Sequence, residues 1–368
     1  MTQRGHQPDY FLIGLFAGLL LFGLVILSSA SAPLGYQKFQ DPYYFIKHQL
    51  LTGLLPGLIL FVFFSRFHYQ KLNKLAISFL IFSIVLLILV FIPGLQAEYG
   101  SARSWLNIFG FSVQPSEIVK LTFLIYLAAW LNNRGEQKVQ DLHSSFVPFI
   151  AALSIISLLI ILQPDLGTLS IIIVAAVTVY FVGGGNLRHL AAMGAAGLAA
   201  FLLLIKIAPY RMNRFIAFWS PGKDTQDVTY HLWQSLIAIG SGGFLGLGLG
   251  HSRQKFSYLP EVSGDSIFAI MGEELGFIFT CLFIILIIML AYRGIQLAKN
   301  APDRFSRLLV VGIIATISFQ AFINMAGLLA LMPMTGIPLP LVSAGGTAMM
   351  TTLASAGILV NISRFSKV

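Results

Sequence analysis

A single cysteine, Cys281, stands in 368 residues. An intrachain disulfide is impossible, and dithiol redox chemistry goes with it. Charge is scarce: Asp, Glu, Lys and Arg make up 10% of the chain. A soluble domain carries about 25%, so this chain has too little charge for an ordinary aqueous surface. The seven histidines are scattered and none has metal-ligand spacing. No glycine-rich nucleotide-binding loop is present. The charge that remains is net positive, +9. In so apolar a chain, that balance suits anionic lipid and argues against nucleic acid as a partner.

What the chain has is apolar length. Hydrophobic residues make up 57% of it, and the mean hydropathy is +0.84. Runs able to cross ~30 Å of hydrocarbon recur throughout. They predict an all-α integral membrane protein, one domain over 1–368, with ten transmembrane helices. The spans fall at 10–30, 47–65, 75–93, 115–131, 146–162, 166–184, 189–208, 266–292, 307–331 and 342–362. The first ends in Ser28-Ser29-Ala30-Ser31-Ala32, which imitates a signal-peptidase site. Its apolar part is long for a signal peptide and nine spans follow, so it reads as an uncleaved helix.

Lys and Arg in the loops set the orientation. With the N-terminus cytoplasmic, thirteen fall inside and three outside, apart from a large extracytoplasmic loop, 209–265, between helices 7 and 8. Both ends are then cytoplasmic. Within that loop, 232–250 is apolar enough to span but holds six glycines. Each weakens a helix by up to ~1 kcal/mol. This segment reads as an interfacial or re-entrant element whose glycines permit close packing; a phosphate-binding nest is the alternative.

The polar residues that are hardest to excuse all fall on the outer side. Arg103 lies in the segment before the fourth span, and Glu117 and Lys120 share a face of that span's first turns. Asp165 sits in the Gln163-Pro164-Asp165 turn, where it is also placed to cap a helix. Asp265 opens the eighth span, with Glu273 and Glu274 deeper at ~1.5 Å per residue. Ser343 opens the tenth. Carboxylates at membrane depth are costly unless paired or facing a wet cavity. For Glu117 and Lys120 the competing reading is a simple intrahelical ion pair.

The outer face has no ATP, so a reaction there needs a pre-activated substrate. A carboxylate at a cavity mouth with cations nearby suits attack by a hydroxyl on a lipid-linked sugar diphosphate. The carboxylate takes the proton as general base, and cations or a divalent metal stabilise the departing diphosphate.

The chain resembles the SEDS family (shape, elongation, division and sporulation), with its FtsW, RodA and SpoVE members. The resemblance rests on Gln114-Pro115-Ser116-Glu117 with Lys120, Gln163-Pro164-Asp165-Leu166-Gly167 and Gly240-Ser241-Gly242-Gly243. It continues in Ser252-Arg253-Gln254-Lys255, Asp265, Gly272-Glu273-Glu274-Leu275-Gly276, Gly336-Ile337-Pro338-Leu339-Pro340 and Ser343-Ala344-Gly345-Gly346. The Ser-Arg-Gln-Lys run is closer to the FtsW branch. The resemblance implies a peptidoglycan glycosyltransferase of the bacterial cytoplasmic membrane. It implies lipid II as substrate, nascent lipid-linked glycan as the growing chain and Asp265 as catalytic residue.

Arg103, Glu117, Lys120, Asp165, Arg253, Lys255 and Ser343 are then expected around the substrate diphosphate. A divalent cation, Mg or Mn, with Asp265 a candidate ligand, is also implied. So are a class B penicillin-binding protein and other division or elongation proteins as partners. The chain departs from the family pattern at Ser263, Gly264 and Ser266 around the Asp, at Ala344, and at Thr229-Tyr230-His231. A lipid II flippase and a non-catalytic scaffold are the rival readings.

Overall fold

The protein is described by a computed structural model over residues 6–96, 104–108, 110–207 and 228–366. Helix α1 spans Tyr10–Phe39. Helix α2, Tyr44–Gln49, runs through a π-turn at Leu50–Leu54 into α3, Leu55–Arg66. The short α4, Gln70–Lys74, leads to α5, Ala76–Leu89. Then come α6, Pro115–Val139; α7, Val147–Ile161, entered through a π-turn at Leu142–Phe146; α8, Leu166–Val182; and α9, Leu187–Ile207. The last four are α10, Val228–Ser241; α11, Ile267–Lys299; α12, Arg304–Leu328; and α13, Gly346–Ser363.

A helix therefore stands at each of the ten stretches read as spans. Among the described residues, six are long and apolar enough to cross a membrane, and α5 and α8 are shorter apolar helices. The chain is a multi-pass membrane protein. The expectation of an all-helical chain needs one addition. Leu106–Ile108 (β1) and Phe111–Val113 (β2) form an antiparallel hairpin before α6. Asn107 Oδ1 accepts from Gly110 N at 2.9 Å to close its turn.

Three helices make the centre. In α12 and α13, 72% of the most apolar window is buried, against 28% in α11. The third is α6, whose Val119, Phe123, Leu127, Ala128 and Leu131 are fully enclosed. Helix α3 packs on α13 through small residues. A Cβ on Gly53 or Gly57 would press on Gly346 and Leu353, and one on Gly357 would lie 2.6 Å from Phe61 O. Gly53-x-x-x-Gly57 is the small-xxx-small pattern that lets membrane helices approach closely, where lipid supplies no hydrophobic drive.

Helix α11 is broken at Gly276 (φ 75, ψ −175). The glycine-rich segment after α10 fills the break. Phe277 N and Ile278 N donate to Gly243 O and Phe244 O at 2.9 and 3.2 Å. Leu247 N and Gly248 N donate to Glu273 O and Glu274 O, both at 3.0 Å. A Cβ at Gly276 would fall 2.2 Å from Gly246 N, so only glycine fits. The run 232–250 is thus the C-terminal part, 232–241, of a 14-residue helix, followed by a loop packed against a helix break. Its glycines serve close approach, and the amides of 246–248 are already bonded to carbonyls.

Both chain ends meet at the far end of the bundle from Asp265. His6 N donates to Arg364 O at 2.8 Å. Asp9 caps α1 through Leu12 N, receives Arg293 Nε at 2.6 Å, and donates its own N–H to Ser363 Oγ. Nearby, the Tyr69 hydroxyl donates to Asp303 at 2.6 Å. Burial, reinforced by that carboxylate, pushes the Tyr69 phenol above its ordinary range, so it remains a donor.

Candidate active site

Asp265 lies in the turn just before α11, one residue ahead of its N-cap, Ser266. Three consecutive carbonyls in this turn are held from α12 and from the segment between α12 and α13. Ser263 O accepts from Ala344 N at 2.7 Å. Gly264 O accepts from Ser343 Oγ at 2.6 Å, and Asp265 O from Asn324 Nδ2 at 2.8 Å. Asp265 Oδ2 faces Gly336, where a Cβ would sit 3.6 Å away at φ 71. Gln49, buried, locks the other side: its Oε1 accepts from Gly345 N at 2.9 Å and its amide donates to Ser343 O at 3.3 Å. The motifs at 336–346 and 263–265 are therefore one piece of structure.

Glu117 and Lys120 form an ion pair at 2.7 Å, as their spacing allows, but not a surface one. They are 2% and 6% exposed. The Lys120 ammonium also donates to Gln320 Oε1 at 2.5 Å. These three side chains line a narrow cleft between α6, α12 and α13 that continues past Thr316, Thr351, Thr352 and Ser355. Gln320 Nε2 donates to Pro338 O at 2.9 Å, which brings the pair to the segment that backs Asp265.

The other expected site residues divide. Ser343 is inside the site, with its hydroxyl engaged by Gly264 O and Leu339 N. Asp165 caps α8 through Thr168 N at 3.0 Å and accepts from Gln114 Nε2 and Ser116 Oγ at 3.1 and 2.9 Å. It braces the start of α6, on which Glu117 stands. Lys255 leaves the set. Its ammonium is buried and pairs with Glu274 at 2.7 Å, with Gly250 O and Ser29 Oγ beside it. Arg253 is exposed, and its backbone N–H donates to Glu273 Oε1 at 2.9 Å. Arg103 lies outside the described residues.

The two glutamates lie deeper along α11 than Asp265, ahead of the break at Gly276. Counting residues from Asp265 puts them well below the outer loop. The loop in fact dips to them: Glu273 takes the N–H groups of Arg253 and Gln254 and the Ser252 hydroxyl. Both carboxylates are structural anchors of the 252–255 turn.

Gln49, Gln320 and Asn324 escaped the sequence reading. Gln320 and Asn324 are four residues apart in an apolar run, and a polar i, i+4 pair inside a membrane helix is the signal that was there to find. Two departures from the family pattern also meet. His231 Nε2 is 2.5 Å from Ser266 Oγ, which donates to Pro260 O at 2.7 Å. That engagement leaves Ser266 without a side-chain cap of α11.

A buried ion pair in a helix bundle, joined through Gln320 and Pro338 to the segment that backs a clamped carboxylate, defines a polytopic membrane protein with an enclosed polar site. Comparison with known proteins makes this specific. The profile of the FtsW, RodA and SpoVE family, described as "Cell cycle protein", matches residues 10–368, and the chain belongs to that family. It is 38% identical over 367 residues, all of both chains, to Stage V sporulation protein E of Bacillus subtilis. It is 36% identical over 358 residues to the probable peptidoglycan glycosyltransferase FtsW of Geobacter sulfurreducens, covering 97% of this chain and 95% of the relative.

Two solved structures share the fold. One is the rod shape determining protein RodA of Thermus thermophilus (TM-score 0.71, 27% identity, 98% of each chain). The other is a chain from work described as structural coordination of polymerization and crosslinking by a peptidoglycan synthase complex. It aligns with TM-score 0.79 and 26% identity over 97% of this chain and 98% of that one.

Proposed function

We propose that this chain is a peptidoglycan glycosyltransferase that polymerises lipid II into glycan strands on the outer face of the cytoplasmic membrane, with Asp265 as general base. The observation that carries the site is the clamp on the carbonyls of 263–265. A base must be held within a fraction of an ångström of its working position, and backbone fixed from α12 and from the segment that follows it provides that. Asp265 takes the proton of the attacking hydroxyl on incoming lipid II. The lipid diphosphate of the growing strand departs toward the Lys120 cation. An α-linked donor giving a β-linked product requires inversion, which needs one base and no covalent intermediate.

A divalent cation, Mg or Mn, belongs to the proposal in a restricted form. Among the described residues no three His, Cys, Asp or Glu converge. The chain therefore offers Asp265 as a single carboxylate, and substrate phosphates would complete the coordination, as is usual for Mg²⁺. A class B penicillin-binding protein as partner follows from kinship with the synthase-complex chain.

The test is direct. Purified protein with lipid II, alone and with its cognate transpeptidase, is expected to yield glycan polymer on a gel. Absence of polymer in both conditions overturns the reading. Lipid translocation without polymer would favour a flippase.

Ten crossings with both ends cytoplasmic complete the proposal. The thirteen-to-three charge asymmetry supports it, and so does the His6–Arg364 contact, which requires an even number of crossings. Ser257 is the better probe of the outer loop, being exposed where Ser252 is buried. In a Cys281→Ala background, Ser257→Cys is expected to react with an impermeant thiol reagent in intact spheroplasts. Reaction in inside-out vesicles instead would reverse the orientation.

A further inference from the structure

Gln320 and Asn324 stand one turn apart on one face of α12, 4% and 5% exposed. Each holds one member of the site and one member of the same dipeptide step. Gln320 joins the Lys120 ammonium (2.5 Å) to Pro338 O (2.9 Å). Asn324 joins Asp265 O to Ile337 O, both at 2.8 Å. Ile337 and Pro338 are consecutive, so the two amides and the step between them form a closed frame from cation to carboxylate.

The orientation of Asn324 is fixed by its partners, because the flipped amide would set Oδ1 against two carbonyl oxygens. As oriented, Oδ1 is a buried acceptor with no hydrogen-bond partner among the described residues. An apolar side chain of the same size would pack at this position without a buried unsatisfied acceptor. The amide is therefore poorly explained by packing and well explained by the two carbonyls it fixes.

We propose that Gln320 and Asn324 are positioning residues that register the Lys120 ammonium against the Asp265 carboxylate through the shared 337–338 step. This rests on the reading of Asp265 as base and Lys120 as the cation of the site. Neither amide touches the reacting atoms. Each acts by holding a group that does.

The experiment uses the purified full chain, lipid II as substrate, and thermal unfolding in detergent as a parallel measurement. Gln320→Met and Asn324→Leu keep volume and remove the amide. Each is expected to lower kcat 10–100-fold, the scale on which small misplacements act. KM should stay within threefold. The double variant is expected to fall no more than threefold below the worse single, because both act through one step. Asn324→Ser, which keeps a hydroxyl donor, is expected to recover part of kcat.

If both apolar variants hold kcat within threefold of wild type while Asp265→Asn is inactive in the same assay, the positioning role is overturned and the glycosyltransferase reading stands. If the wild type makes no polymer, both fall. Should the apolar variants not accumulate, Asn324→Ala and Gln320→Ala decide on the same kcat criterion.

Discussion

Asp265→Asn is expected to reduce polymerisation of lipid II by at least ~10²–10⁴-fold, the usual worth of a general base. The structure makes this substitution unusually clean. What holds the turn is main-chain: Ser263 O, Gly264 O and Asp265 O accept from Ala344, Ser343 and Asn324. An asparagine keeps all three contacts and the side-chain shape, and loses only the capacity to take a proton. Protein level, thermal stability and association with the transpeptidase should therefore be close to wild type. A scaffold would support growth with Asn at 265, and a flippase would still move lipid. Polymerisation at the wild-type rate by the purified variant would refute the assignment and turn attention to Glu261, four residues upstream and exposed.

Lys120→Met is expected to abolish polymerisation, but its interpretation depends on burial. A surface pair would contribute ~0.3–0.5 kcal/mol and its loss would pass unnoticed. This pair is 6% and 2% exposed. Breaking a buried pair by removing one partner costs ~3–5 kcal/mol, because an uncompensated charge remains. The single variant thus mixes lost chemistry with lost stability. Lys120→Met combined with Glu117→Gln removes the stranded charge, and it should unfold near the wild-type temperature while remaining inactive. Near-normal turnover by that folded double variant would make the pair purely structural.

Much of this was legible in the chain, for physical reasons. Apolar runs long enough to cross a bilayer declare themselves, and each of the ten is helical. Glu117 and Lys120 are three apart, so their pairing follows from helix geometry alone. Asp265 at the head of an apolar run was visible for the same local reason. The contacts that escaped are long-range. Nothing near Asn324 in sequence announces the Asp265 carbonyl 59 residues away, or near Lys255 that its ammonium is directed at Glu274. The depth of Glu273 and Glu274 along the helix was readable, but the descent of the 252–255 turn to meet them was not, because nothing local shows the loop entering the bundle. Gly276 breaks the helix, and glycines 242–248 let the loop descend. Gly53 and Gly57 carried a readable small-xxx-small signal whose partner, α13, only the fold supplies.

The meeting of the two chain ends has a consequence for how the protein is made. Helix α1 leaves the ribosome well before its partners: Asp9 depends on Arg293 and Ser363, and His6 on Arg364. At 5–20 residues per second, Ser363 and Arg364 arrive roughly 20–70 s later, and Arg293 somewhat sooner. During that interval α1 sits in the bilayer with Leu12 and Leu19, both enclosed in the finished bundle, facing lipid or the insertion machinery. Closure of these contacts is therefore a late event, completed only when α13 has been made. A nascent chain truncated before residue 363 would keep the Asp9–Arg293 pair and lack only the Ser363 and Arg364 contacts that close the two termini on each other.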